Sequence, residues 1–189
     1  MGNQYNHPMI ATSRRVVENM SWKPPEIGWI LLKTDGASKE GYIVGCRGVV
    51  RGENEEWICG FSKGSGSCDS YVAELWGAFE GLKFFRARGF NRMELHADSW
   101  VVSTTLSSSK IGTTTSRSLL QHIRRLLDMN WEVRICHSYR EANACADALA
   151  NIACDGGFIL MLHEHQPIHI RMLFLADLIG VCTLHIVRR

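Results

Sequence analysis

The stretch Ile30-Leu31-Leu32-Lys33-Thr34-Asp35-Gly36-Ala37 narrows the possible folds more than any other part of this chain. It has the apolar density of a buried strand, yet it delivers one carboxylate, Asp35, and then reaches a glycine. A carboxylate beside buried apolar side chains is costly unless it is paired or binds a cation. A cation site at Asp35 is the expected answer, and such a site needs partner carboxylates on neighbouring elements. Glu74, Asp98 and Asp147 lie downstream as candidates.

Periodicity and punctuation define the elements around that stretch. Trp22-Lys23-Pro24-Pro25 forces an extended entry. Residues 28–35 then form a first strand, with Ile27, Trp29 and Leu31 on one face and Ile30 and Leu32 on the other, so both faces are covered. Residues 42–50 and 56–61, joined by a turn at 51–55, complete an antiparallel meander. After a Gly- and Ser-rich loop at 64–68, Asp69 or Ser70 caps a helix running to about Arg88 and closed by Gly89. A fourth strand covers 92–98, a short helix 99–107, and a further helix starts at Thr115 or Ser116. A fifth strand covers 131–136 and an Ala-rich helix 141–154.

The late strand–helix–strand crossovers place strands in parallel. The predicted fold is α/β: a mixed five-stranded sheet, three antiparallel strands followed by parallel ones, with helices on both faces. Residues 1–21 read as a flexible lead-in or the remnant of a longer protein, 22–156 as one domain, and 157–189 as a packed or partly ordered tail.

Composition bounds the function classes. At 46% hydrophobic and 21% charged over 189 residues, the make-up is globular and holds core material for a single domain. A net charge of +2 neither demands nor excludes a nucleic-acid partner. Seven cysteines with no Cys-x-x-Cys pair indicate buried thiols in a reducing compartment, not a disulfide framework or a zinc knuckle. His163, His165 and His169 cluster without the framework a zinc site needs. No secretory h-region or membrane-spanning run occurs, so the expectation is an intracellular monomer with no membrane partner.

Glu74, in Ala73-Glu74-Leu75-Trp76-Gly77, falls near the start of the long helix, where the dipole favours an ionised carboxylate. Asp98 ends the fourth strand, and Asp147 sits amid alanines in the last helix. Singly, the four acids read as a turn residue, a helix N-terminal carboxylate, an N-cap and a solvated helix position. Brought together without cations they would repel, and some would stay protonated; divalent metal removes that conflict. Oxygen-only ligands select Mg²⁺, with Mn²⁺ as a substitute, over zinc.

In chain order, Trp22-Lys23-Pro24-Pro25, Thr34-Asp35-Gly36-Ala37, Ala73-Glu74-Leu75-Trp76-Gly77, Asp98-Ser99 and His137-Ser138-Tyr139-Arg140-Glu141-Ala142-Asn143-Ala144-Cys145-Ala146-Asp147-Ala148-Leu149-Ala150 resemble the ribonuclease H family. Within it they are most similar to the retroelement-derived, reverse transcriptase-like domains of plant genomes, over residues 22–156. The resemblance implies an endonuclease that cuts the RNA strand of RNA–DNA hybrids by a two-metal mechanism, leaving 5′-phosphate and 3′-hydroxyl ends. It implies Asp35, Glu74, Asp98 and Asp147 as Mg²⁺ ligands, and His137 as a proton shuttle or an aid to product release. Gly36, Ala37, Ser70 and Ser99 become the contacts that sense 2′-hydroxyls, with Gly36 giving the hybrid's backbone room. Asn143 joins them, four residues before Asp147 on the same helix face and placed to orient it.

Lys83, Arg86, Arg88 and Arg92 are available for phosphates or are simply a solvated face; no lysine-dense segment lies between the middle helices. Lys33 stands where relatives often have Asn and is expected to be a strand-surface change. His96 stands where they often have an acid and is expected to alter local charge. The alternative reading is a catalytically silent, retroelement-derived nucleic-acid-binding or interaction module of the same fold.

Overall fold

The computed structural model describes residues 15–20, 22–39, 43–66, 68–108, 112–149, 159–179 and 183–188. Its centre is β2 (Ile30–Lys39), which pairs in parallel with β5 (Arg92–Ala97) on one side and antiparallel with β3 (Ile43–Arg51) on the other. β6 (Glu132–His137) extends the parallel side, and β4 (Trp57–Gly66) extends the antiparallel side. The mixed sheet expected from the sequence is therefore present, in the order β6-β5-β2-β3-β4 with one further strand beside β4.

That order holds six strands, not five, because Met161–His163, from the stretch read as tail, forms β7 against Gly60–Ser62 of β4. Arg15–Met20, from the stretch read as lead-in, forms β1 and pairs antiparallel with β8 (Thr183–Arg188) in a separate two-stranded sheet. Nor does β2 end at Asp35-Gly36: it runs on to Lys39, with Asp35 opposite Arg47 in β3. Asp-Gly has turn chemistry, but here the ladder to β3 carries the strand through it.

Helices cover both faces. On one lie α1 (Ser70–Ala87), α2 (Trp100–Leu106) and α3 (Arg117–Leu127), whose Leu75, Leu82, Phe85, Val102, Leu120 and Ile123 close over Leu32, Val50, Phe61, Met93 and Leu95. Asp69 caps α1, its carboxylate accepting from the Val72 amide at 2.8 Å, and Ser99 caps α2 in the same way. Gly81 lets α1 settle onto the sheet, since a Cβ there would lie 2.4 Å from Leu32 Cδ2.

The opposite face carries a 3₁₀ turn (Arg140–Asn143), α4 (Ala144–Ala148) and α5 (Ile168–Leu178). The Ala-rich helix expected over 141–154 is thus a 3₁₀ turn leading into α4, and residues 150–158 lie outside the described residues. Cys145, Ala146 and Leu149 pack with Val49, Ile170 and Phe174. Two core residues on this face therefore come from α5, beyond the domain limit read from the sequence. Among the described residues, no helix is long and apolar enough to cross a membrane.

One buried cation ties these pieces together. The Arg51 guanidinium lies 3.5 Å from the Trp22 ring centroid and 4.1 Å from that of Phe174, and it pairs with Asp177 at 2.9 Å. Chain entry, central sheet and α5 meet at that side chain. Asp177→Ala is expected to cost ~3–5 kcal/mol in urea unfolding, because it strands a buried guanidinium. Met172→Ala, at an exposed position of the same helix, should stay within ~0.5 kcal/mol. Equal, small effects of the two substitutions would show that α5 is not part of the core.

Candidate metal centre

Alternation along β2 turns Leu31, Lys33 and Asp35 toward α4, while Leu32 and Thr34 face α1. Asp35 is only 1% exposed. Its cross-strand partner Arg47, 4% exposed, donates to Asp35 Oδ2 through Nη2, and the same nitrogen lies 3.1 Å from Asp147 Oδ1. The guanidinium thereby bridges the central strand and α4. Asn143, 3% exposed, pins α4 further by donating from Nδ2 to the Thr34 carbonyl at 3.3 Å. Its side-chain amide faces β2 beside Asp35 and so fastens the start of α4 to the central strand.

Glu74 reaches the same region from α1, and Gly36 is what allows it. A Cβ on Gly36 would lie 2.4 Å from the Glu74 amide nitrogen and 2.7 Å from the Ala73 carbonyl carbon. The missing side chain makes room for the backbone of α1. Asp98 arrives at the end of β5, beside the end of β6, where the Ser138 amide donates to the Ala97 carbonyl at 2.9 Å. His137 Nε2 lies 3.2 Å from the Asp98 backbone carbonyl; a carbonyl only accepts, so Nε2 carries the hydrogen. The imidazole is packed edge-on between Trp100 and Tyr139. Arg140 Nε sits 3.6 Å from Asp98 Oδ2.

The electrostatics are those of acids crowded together out of water. Burial, then the charges of Asp98 and Asp35, push the Glu74 carboxyl up to about 8. Burial also raises Asp35, to about 6, with Arg47 opposing and Asp147 and Asp98 adding to the rise. Glu74 Oε2 and Asp98 Oδ1 are buried with no hydrogen-bond partner. Unsatisfied buried carboxylate oxygens and carboxyls that hold their protons too tightly are the marks of a site short of positive charge, and an oxygen-only donor set fits Mg²⁺ or Mn²⁺. Among the described residues, no three His, Cys, Asp or Glu side chains are already arranged to hold a metal ion. On the Asp35–Asp147 side Arg47 stands in between.

Of the other residues singled out, Ser70 is the exposed first residue of α1, Ser99 is the half-buried cap of α2, and Ala37 follows Gly36 in β2. Lys33 is not a strand-surface change: it is buried beside Arg51, Cys145 and Asp177, and burial pushes its amine down to about 8. His96 does not add charge at neutral pH, since burial and then Lys33 push it down to about 4. Lys83, Arg88 and Arg92 each pair with a carboxylate, and Arg86 donates to the Asn130 carbonyl. His163 contacts Ser62 Oγ through Nε2 at 3.1 Å.

Arg47 and Arg140 escaped the sequence reading. Arg47 carried a signal, as the lone charge among Ile43, Val44, Gly45, Cys46, Gly48, Val49 and Val50. A buried strand seldom holds one charge without a partner across the ladder.

A reverse transcriptase-like family profile matches residues 33–153, which takes in Asp35, Glu74, Asp98, His137 and Asp147. The chain belongs to the ribonuclease H family, in its reverse transcriptase-like branch. Over 156 residues it is 38% identical to an Arabidopsis thaliana protein carrying a provisional ribonuclease H name; the match covers 82% of this chain and 24% of that relative. The chain thus spans about a quarter of that relative's length.

Ribonuclease H1 of Halobacterium salinarum is similar in fold, with a TM-score of 0.61 at 24% identity, covering 68% of this chain and 99% of the other. So is LC11 ribonuclease H1, isolated from compost and solved with an RNA/DNA hybrid, with a TM-score of 0.61 at 23% identity, covering 67% and 97%. At these identities the solved structures speak for the fold of this ribonuclease H-like chain.

The Glu74 shift has a stability consequence. Its folded carboxyl titrates at about 8 against an ordinary 4.5, so the fold binds that proton more tightly than the unfolded chain does. Metal-free stability therefore falls as pH rises from about 4.5 to about 8. Glu74→Gln should remove that decline and raise metal-free stability at pH 8 by at least ~2 kcal/mol in denaturant unfolding. Mg²⁺ should narrow the difference by stabilising the wild type. Parallel pH profiles for the two proteins would contradict the crowded-acid site.

Proposed function

We propose that this chain hydrolyses the RNA strand of RNA–DNA hybrids, with Asp35, Glu74, Asp98 and Asp147 holding two Mg²⁺ ions, or Mn²⁺ in their place. The observation that carries the reading is the meeting of Asp35, Glu74 and Asp98 from three separate elements, with the Asp35 and Glu74 carboxyls pushed up by burial and by the charges of neighbouring acids. When bound, such ions supply Lewis-acid activation of water and charge stabilisation at the scissile phosphate, giving 5′-phosphate and 3′-hydroxyl ends.

The chain's own residues do the positioning. β2 fixes Asp35 as the shared ligand, α1 brings in Glu74 over Gly36, and the end of β5 presents Asp98. Asn143 holds α4, and with it Asp147, against β2. His137 is held by the Asp98 carbonyl with Nδ1 left to exchange a proton with water or the leaving oxygen. Ser70, Ser99 and the backbone at Gly36 and Ala37 line the approach from which 2′-hydroxyls are sensed. Arg140, strongly exposed and paired only loosely with Asp98, supplies a cation for a phosphate next to the site.

One observation favours the second reading, a silent nucleic-acid-binding module: Arg47 stands between two of the four carboxylates. A labelled RNA–DNA hybrid incubated with purified protein and Mg²⁺ separates the two. The expected result is cleavage by the wild type, lost by at least ~10²-fold in Asp35→Asn and Asp98→Asn. His137→Ala should lower kcat by ~10²-fold and leave residual activity. Absence of cleavage by the wild type at every Mg²⁺ and Mn²⁺ concentration would sink the enzyme reading.

A further inference from the structure

Arg47 occupies a position that the proposed chemistry needs for an ion. Its guanidinium is buried, and Nη2 contacts one oxygen of Asp35 and one of Asp147. Its placement is set by the backbone, because β2 and β3 pair Asp35 with Arg47 in the central ladder of the sheet. Nε has no hydrogen-bond partner, while Nη2 is held by both carboxylates. Asp35 is fixed in the strand; Asp147 is 47% exposed and rides on a five-residue helix. A unit positive charge and a divalent ion cannot share the space between these two carboxylates without strong repulsion, since both would lie within a few ångströms in a partly buried setting.

We infer that Arg47 is an internal counter-cation that holds the Asp35–Asp147 half of the site against divalent metal, so that the chain takes a first ion on the Asp35, Glu74 and Asp98 side and a second only when Arg47 swings out. The inference rests on the reading that ions bind at these carboxylates, and it deepens that reading by making metal loading stepwise. Glu74 and Asp98 remain open to the first ion through Oε2 and Oδ1, which are buried with no hydrogen bond made to them. Asp147 would change partner from guanidinium to metal at the second step. Arg47 thereby sets the metal concentration at which the complete site assembles.

The test is a Mn²⁺ titration of the full chain, following free Mn²⁺ by electron paramagnetic resonance and heat by calorimetry. The wild type is expected to bind one ion, with a second at least ~10-fold weaker. In Arg47→Met the second affinity should rise by at least ~10-fold, giving two ions over the same range. Arg47→Gln keeps a hydrogen-bond donor toward Asp35 without the charge, and should show the same rise if the methionine variant fails to fold.

Two equally tight ions in the wild type, or a second affinity unmoved in both variants, would overturn the inference. Hybrid cleavage, measured on the same samples, separates this outcome from failure of the proposed activity. The expected rise with no cleavage by any protein leaves the role of Arg47 standing and removes the enzyme. Cleavage with an unmoved second affinity removes only the role of Arg47. No Mn²⁺ binding by any of the three proteins overturns both.

Discussion

The ion pair between Asp35 and Arg47 sits at the centre of the sheet, one residue from each of the two strands that the other elements pack around. A carboxylate at that depth has to be matched by positive charge or stay protonated. The sheet supplies a guanidinium directly across the ladder, and the helices bring further carboxylates to the same place. Glu74 comes because Gly36 lets α1 descend, and Asp147 because Asn143 fastens α4 to the Thr34 carbonyl. The fold thus gathers more negative charge than Arg47 neutralises. The upward shift of the Glu74 carboxyl and the unsatisfied oxygens of Glu74 and Asp98 are the remainder. That remainder is what a divalent ion would remove.

A second buried guanidinium, four residues along the same strand, does purely structural service. Arg51 is closed in by the Trp22 and Phe174 rings and paired with Asp177. Lys33 lies beside it, its amine pushed down chiefly by burial, with Asp177 opposing and Arg51 adding to the shift. The two arginines divide the α4 face of the sheet. One end is sealed by aromatic rings and α5; the other opens toward Asp147 and solvent.

Much of this could be read from residue order. Asp35 announced its own cost, and Glu74, Asp98 and Asp147 each stood in an element whose end or first turns can reach it. What stayed hidden was non-local. The role of Arg47 depends on the register of β2 against β3, and a shift of one residue would have turned it to the other face. The burial of Lys33 depends on α4 and α5 covering that side. Three residues of β7 are too few to show a period, and β1 meets β8 across almost the whole chain. The closeness of Gly36 to the backbone of α1 was hidden too, since it depends on how the helix docks on the sheet.

On the inference drawn above, Arg47 and divalent metal are alternative occupants of the space between Asp35 and Asp147. Anomalous diffraction from crystals grown without metal and then soaked in rising Mn²⁺ addresses it most directly. Arg47 should bridge both carboxylates in the metal-free crystal. A first anomalous peak should appear beside Asp35, Glu74 and Asp98, and a second only where the Arg47 side chain has moved away. Two peaks with Arg47 still in place, or a metal-free crystal in which Arg47 contacts neither carboxylate, would contradict it.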